Sequence, residues 1–245
     1  MGAASCLARA GEHDAAFARL QRTDYKDRPS IEIIANDADL ASLHDDPRWR
    51  AWLDAERKAQ AARGYDPVLA KELAERTTRD QAIREQVMVR PRDVKLNQQA
   101  LEIDRDNTGW LKSVVDRQGW PLVRQVGSEG ANQAWLLAQH ADADPAFQER
   151  VLGLMQSAVA QGEASGSDLA YMTDRVRRAQ GKRQVYGTQF QQVDGMLQIQ
   201  PVEDLDGLDA RRAAIGLESM ADYVAQGERQ MHRKIQWPPA SEPAN

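Results

Sequence analysis

Three Asp-Pro pairs constrain the fold of this 245-residue chain more than any other feature of its sequence. Asp46-Pro47, Asp66-Pro67 and Asp144-Pro145 each stand directly before a run of apolar residues at helical spacing. Aspartate is a favoured N-cap, and the first helical position is the one at which proline removes no hydrogen bond. Each pair therefore predicts the start of a helix, and the long runs behind them predict a mainly α protein.

Glycine, proline and serine residues mark where the remaining helices begin and end. Gly119 is the expected left-handed cap of one helix, and Ser167 is the expected N-cap of another. We expect helices over residues 5–21 with a break at Gly11, 47–63, 67–90, 93–118, 128–141, 145–161, 167–179, 206–215 and 218–235.

One stretch has the alternating pattern of a strand instead. Residues 184–193 and 196–200 flank Asp194-Gly195, which is a strong signal for a tight hairpin turn. The predicted fold class is therefore mainly α, a multi-helix domain with one β-hairpin at about 183–200. No strand is expected outside this region.

The first fifty residues are similar to part of a tetratricopeptide-like helical hairpin, with small residues, a glycine turn at Gly11, and then Ala16, Phe17 and Leu20. Residues 39–49 resemble the tail that often closes such arrays. We expect a tetratricopeptide-like N-terminal segment at 1–64, a helical domain with the β-hairpin at 65–236, and a loose tail at 237–245.

Composition excludes several classes of function. A net charge of −5 argues against a nucleic-acid partner, because phosphate contacts need clustered lysine and arginine. The longest weakly polar run, 151–162, is too short to span a membrane, and the first residues show no secretory signal pattern. With Cys6 as the only cysteine, no intrachain disulfide can form. We expect a soluble, cytoplasmic protein. The sequence leaves open whether a leader has been removed upstream of residue 1.

A series of short motifs carries a family resemblance. Gln-His-Ala-Asp stands at 139–142, Tyr-Gly-Thr-Gln at 186–189 and Arg-Arg at 211–212, in that order. Over residues 68–225 the chain resembles a bacterial domain family of unknown function that is marked by these strings. The resemblance implies a shared fold and a shared site, but it brings no activity with it.

The motifs contain the candidate catalytic residues. His140 has the side chain best suited to proton transfer near neutral pH, and it stands at a predicted helix end. Asp142 or Asp174 is suited to orient it, and Tyr186 and Gln189 are suited to position a polar substrate. In the alternative interpretation, His140 simply caps its own helix. Asp174 is four residues from Arg178, so it either forms an ordinary surface ion pair with that residue or faces inward and anchors the hairpin.

Arg211 and Arg212 are candidates for binding a carboxylate or phosphate through paired hydrogen bonds. A charge network with neighbouring acids that fixes the last helices is an equally good explanation. Trp120, beside Pro121, is a candidate pocket residue, although a core position explains it more simply.

A metal site with oxygen and nitrogen ligands is a further possibility that the sequence offers. His140, Asp142 and Asp144, together with Asp174 or Glu203, have suitable chemistry. Asp144 is better explained as the cap before Pro145, and a single histidine is a thin basis for zinc or iron. We therefore expect neither a metal nor a cofactor.

Two functions remain open at this point. The first is an enzyme or small-ligand binder with a polar pocket around His140, Asp174, Tyr186 and Gln189. The second is a non-catalytic protein-interaction module in which these motifs are structural. A small molecule or peptide fits the first function, and a protein partner bound through the N-terminal helices fits the second. Burial and full pairing of the polar side chains with one another would favour the second.

Overall fold

A computed structural model of the chain describes residues 2–27, 31–193 and 195–237. Residues 1–137 and 138–245 form two compact units. The fold is mainly α with one small sheet, as the sequence predicts. Within the described residues, no helix combines the length and the apolar character needed to cross a membrane.

The first unit contains the helices from the start of the chain through most of the seventh. Two short 3-10 helices, Tyr25–Asp27 and Ala38–Leu43, lie on either side of the helix Ile31–Ala35. The helix Val123–Gln139 is broken at Gly127, where φ is 76°, which agrees with a predicted helix start at residue 128. The helices are α1 (Gly2–Arg9), α2 (His13–Arg22), α3 (Ile31–Ala35), α4 (Pro47–Ala62), α5 (Pro67–Val89), α6 (Val94–Gln118) and α7 (Val123–Gln139).

Aspartate caps begin the helices, as the Asp-Pro pairs predict. The Asp66 carboxylate accepts hydrogen bonds of 3.0 Å from the backbone N–H groups of Val68 and Leu69. Asp46 caps α4 and Asp144 caps the first helix of the second unit by similar bonds. Gly119 ends α6 as predicted, with a positive φ of 79°, but its ψ of −166° differs from that of the left-handed helical conformation.

The N-terminal helices share one apolar core. Trp49 and Trp52 stack in α4 with ring centroids 5.7 Å apart, and Phe17 and Leu20 of α2 are buried in the same cluster. The break predicted at Gly11 is confirmed, because a turn there joins two helices, α1 and α2. The similarity of this hairpin to a tetratricopeptide unit stays a prediction. The domain boundary between residues 64 and 65 also stays a prediction, and that position lies inside the first unit.

The described residues of the second unit form four further helices and the sheet. The predicted cap Ser167 is wrong, because Ser165 instead accepts a hydrogen bond from the N–H of Asp168 at 3.2 Å. The elements are α8 (Pro145–Ala160), α9 (Gly166–Ala179), β1 (Phe190–Val193), β2 (Met196–Ile199), α10 (Leu208–Ala214), α11 (Met220–Met231) and β3 (Ile235–Gln236).

The sheet has the order β1-β2-β3. Strands β1 and β2 are antiparallel, with Gln191 opposite Gln198, and β2 and β3 are parallel, with Leu197 opposite Ile235. The expectation of strands only near 183–200 is therefore wrong, and so is a helix continuing to residue 235. The helix ends at Met231, because the next residue takes the left-handed conformation.

Ile235 contributes to the core beneath the sheet. It is buried with Ile199, Val202, Leu208 and Met220, and Trp237 packs against this cluster. Trp237 belongs to the expected loose tail, whose other residues, 238–245, lie outside the described residues. Asp194 of the predicted hairpin turn lies outside them as well.

Candidate functional site

Asp174 on α9 organises the segment 184–189, which we call the QVYGTQ loop. Its side chain is fully buried. One carboxylate oxygen accepts hydrogen bonds from the N–H groups of Val185 at 2.7 Å and Tyr186 at 3.1 Å. The other accepts bonds of 2.9 Å from both the N–H and the hydroxyl of Thr188. The predicted strand at 184–189 is wrong for this reason, since these N–H groups bind a side chain instead of a neighbouring strand.

Two opposing effects act on the Asp174 carboxyl. Burial raises its pKa, because the charged form loses hydration, and the hydrogen bonds from Thr188, Val185 and Tyr186 lower it. Burial is the larger effect, so the pKa lies above its ordinary value. No ion pair joins Asp174 to Arg178 among the described residues, and Arg178 donates instead to the carbonyl of Lys182.

Gln184 closes the QVYGTQ loop from its other end. Its side-chain oxygen accepts a bond of 2.6 Å from the N–H of Gln189, and its side-chain nitrogen donates to the carbonyls of Gln189 and Gln200 at 3.1 and 2.8 Å. The residue is fully buried, so these bonds satisfy polar atoms that water cannot reach. The backbone of Gln184 also forms a parallel bridge to Val202.

Gly187 is the one position of the loop that excludes a side chain. Its φ is +70°, a conformation that L-residues rarely adopt. An added Cβ would lie 3.2 Å from the sulfur of Met220 and 3.4 Å from a methyl group of Val202. Glycine therefore allows both the turn and the close approach of the loop to the sheet core.

Arg212 holds the loop from α10. Its guanidinium is fully buried and donates to the carbonyl of Tyr186 at 2.5 Å and to the carbonyl of Glu218 at 2.7 Å. It also lies over the ring of Tyr223, 4.8 Å from the ring centroid. The other terminal nitrogen has no hydrogen-bond partner within the described residues and lies 4.0 Å from the Glu218 carboxylate.

Arg211 binds the loop and an acidic turn together. It donates to the carbonyl of Val185 at 3.2 Å and to the Asp204 carboxylate at 2.6 Å. It also donates to the carbonyls of Glu203 and Asp204, each at 2.7 Å. Both arginines therefore direct most of their donors at protein carbonyls, where a ligand clamp would need free donors, and one buried terminal nitrogen of Arg212 is the exception.

Tyrosine hydroxyls line the other side of the loop. The hydroxyl of Tyr171 donates to that of Tyr223 at 3.1 Å, and Tyr223 donates weakly to the carbonyl of Thr188 at 3.4 Å. Burial raises the pKa of Tyr223 far above its usual value, and neighbouring Tyr171 raises it further. Burial and the charge of Asp174 also raise the pKa of Tyr186. Neither Tyr186 nor Tyr223 is therefore arranged to lose a proton near neutral pH.

His140 directly follows the last residue of α7 and is half-buried, so the predicted position at a helix end is correct. Its catalytic role stays a prediction. Asp142, proposed to orient it, is bound by Arg175 through two hydrogen bonds of 2.9 and 2.6 Å and by Gln148 at 3.2 Å. Partial burial raises the Asp142 pKa, but the bonds and the charge of Arg175 outweigh it and hold the pKa below its usual value.

The remaining predicted residues are occupied by protein contacts or lie elsewhere. Asp144 accepts a bond of 3.0 Å from the N–H of Phe147, and Arg177 binds Glu203. The side-chain nitrogen of Gln189 donates to the Thr188 hydroxyl at 3.1 Å. Trp120 is buried in the first unit, in the turn between α6 and α7.

A buried ionic group in the first unit was not predicted. Asp80 of α5 is fully buried, and Arg84 lies 3.3 Å from both of its carboxylate oxygens. Arg84 also donates to Asp104 of α6 at 2.5 Å. The spacing of Asp80 and Arg84 is that of an ordinary surface pair, so the sequence offers no signal of its burial.

The fold and the loop define a mainly helical protein with a carboxylate-anchored segment beside a small sheet. A family model described as "Family of unknown function (DUF6624)" matches residues 67–236. The match covers more than half of the chain, so the protein belongs to this family. The predicted resemblance to a family of unknown function is thereby confirmed. No curated protein and no solved structure matches the chain.

Proposed function

We propose that the protein is a non-catalytic interaction module in which the polar motifs hold the QVYGTQ loop. The observation that carries this proposal is the Asp174 carboxylate, whose two oxygens are both occupied by donors of the loop. A general base needs a lone pair directed at its substrate. A buried carboxylate that accepts four short bonds from one segment is instead an anchor for that segment.

Three further side chains support the same function. Gln184, Arg211 and Arg212 each direct at least one donor at a backbone carbonyl of the loop. A ligand would have to displace these bonds, and each buried group would then lose its partner. In an interaction module this arrangement has a structural role, because it fixes the loop in one conformation within the second unit.

The partner surface that we propose is the tip of the α5–α6 hairpin. Met88, Val89 and Val94 are 77%, 78% and 70% exposed there, which is unusual for three neighbouring apolar side chains. Arg92 and Lys95 are exposed beside them. A protein surface with apolar and acidic side chains complements this tip.

The N-terminal helices form the second part of this proposal. The tetratricopeptide-like hairpin α1–α2 is a type of unit that serves as a docking element. Ile33 of α3 is 48% exposed and offers a position at which contact with a partner can be recorded.

Site-specific photo-crosslinking in cells that express the full chain tests the proposal. A photoreactive amino acid at Met88 or Ile33 should give a discrete adduct with one protein, whereas the same group at Lys58, an exposed polar position of α4, should not. The double change Arg92→Glu with Lys95→Glu should abolish the Met88 adduct, because it makes the tip acidic. Equal adducts at Met88 and Lys58, or adducts unaffected by the charge change, would overturn the proposed surface.

A further inference from the structure

Strand β1 lies at one end of the sheet and pairs with β2 alone among the described strands. The N–H of Gln200 donates to the carbonyl of Gln189 at 3.0 Å, which gives these opposed residues the orientation of a hydrogen-bonded pair, although the N–H of Gln189 binds the Gln184 side chain. In an antiparallel ladder such pairs recur at every second residue, so Gln191 and Val193 also face β2. The backbone groups of Phe190 and Gln192 therefore face away from β2.

These outward-facing groups are available for further pairing. The carbonyl of Phe190 accepts one bond of 2.9 Å from the Gln200 side chain, and a carbonyl can accept a second. In the described part of the chain, no hydrogen bond outside the ladder involves the backbone of Gln192. Gln192 and Val193 are also exposed, so neither side chain is buried beneath another segment.

Strand β1 is short, with four residues, but it lacks the charges, the proline and the bulge that protect many strand edges. Natural edge strands carry charges, proline or bulges that prevent pairing with another chain. Residues 190–193 read Phe-Gln-Gln-Val, with no charge and no proline, and their register against β2 is continuous. This edge can therefore accept another strand.

We propose that β1 pairs with β1 of a second copy of this chain, antiparallel, about a two-fold axis at Gln191. In this register Phe190 of each copy lies opposite Gln192 of the other. It is the only symmetric register in which both outward-facing residues pair within the strand. The two pairs form four backbone hydrogen bonds, and the two three-stranded sheets become one sheet of six strands.

A second copy suits this edge because the edge is self-complementary. Each copy supplies the same two donors and two acceptors, and no like charges meet. Gln191 faces its own counterpart, and its amide, which donates one N–H to Gln198 at 3.2 Å, keeps a second N–H and its oxygen for the other copy. The inference stands on the sheet alone and does not depend on the proposed function.

Disulfide trapping in the full chain tests both the contact and its register. Residues opposite each other in a non-hydrogen-bonded pair have Cα atoms about 4.5 Å apart, which is within the range of about 4.4–6.8 Å for disulfides. With Cys6→Ser to remove the native thiol, Gln191→Cys should form a covalent dimer under mild oxidation. The matched variant Gln192→Cys should not, because its counterpart is displaced by two residues along the strand.

Sedimentation of the unmodified chain provides the second measurement. The mass should rise from monomer to dimer with concentration, and Gln192→Pro should hold it at the monomer, because proline lacks the outward N–H. That N–H is not used by the β1–β2 ladder, so the melting temperature of this variant should stay near that of the wild type. A monomer at every concentration would overturn the inference, and so would equal trapping at positions 191 and 192. A monomer that binds extended peptides at this edge would overturn the choice of a second copy.

Discussion

One carboxylate oxygen of Asp174 lies 2.7 Å from the backbone nitrogen of Val185, a residue 11 positions later in the chain. This bond joins helix α9 to the start of the QVYGTQ loop. The same carboxylate also accepts hydrogen bonds from the backbone N–H groups of Tyr186 and Thr188. One side chain therefore fixes the path of the four consecutive residues 185–188. The stability of the second unit should therefore depend strongly on this group.

Changing Asp174→Asn should lower the free energy of unfolding by about 2–4 kcal/mol, because an amide nitrogen would face the N–H groups that the carboxylate now binds. Denaturant unfolding followed by circular dichroism measures the loss. Asp206→Asn is the control, since Asp206 is exposed, and it should change stability by less than about 0.5 kcal/mol. Equal stability of the two variants, with any turnover lost only in Asp174→Asn, would restore a catalytic role for Asp174.

Gly187→Ala should destabilise the protein by about 1–3 kcal/mol. The change forces an L-residue to a φ of +70° and places its Cβ against Met220. Gly153→Ala is a matched control inside α8, where an added Cβ meets nothing within 4 Å. This control should stabilise by about 0.5–1 kcal/mol, because alanine is the better helix former. Thermal melts that rank the two variants in the opposite order would contradict the tight approach at Gly187.

Ser165 is the observed N-cap of α9, whereas the sequence predicts Ser167 at that position. Ser165→Ala should cost about 1 kcal/mol, because the N–H of Asp168 loses its partner. Ser167→Ala should have a smaller effect, since residue 167 lies inside α9. Chemical denaturation of both variants decides between them, and a larger loss at Ser167 would move the start of the helix.

Tyr223 should make stability fall at alkaline pH. Burial and Tyr171 raise its pKa in the folded state above the ordinary value of 10.0. The stabilisation is fully present below pH 10 and is lost as the pH rises above it, since only the unfolded chain then ionises this residue readily. Unfolding free energies measured from pH 8 to 11 should fall more steeply for the wild type than for Tyr223→Phe. In an alkaline titration followed by absorbance at 295 nm, Tyr223→Phe should lose one of the tyrosines that ionise only at the highest pH in the wild type. Identical titration curves for the two proteins would contradict the burial of this hydroxyl.

The helices could be predicted because their signals are local. Asp46, Asp66 and Asp144 cap the residues directly after them, and Gly127 breaks the backbone where it stands. Strand β3 could not be predicted, because its partner Leu197 is distant in sequence and a two-residue strand has no periodicity. The spacing of Asp174 and Arg178 is typical of a surface pair, so burial of the carboxylate depends on contacts that only the folded chain supplies.

The parallel pairing of β2 with β3 also sets an order of events during synthesis. Strands β1 and β2 emerge from the ribosome as neighbours and can pair at once. Ile235, which completes the core beneath them, follows only after residues 200–234 with α10 and α11 have been made. Until then the apolar side chains of Ile199 and Leu197 lack a covering strand, so the closing of this core waits for Ile235.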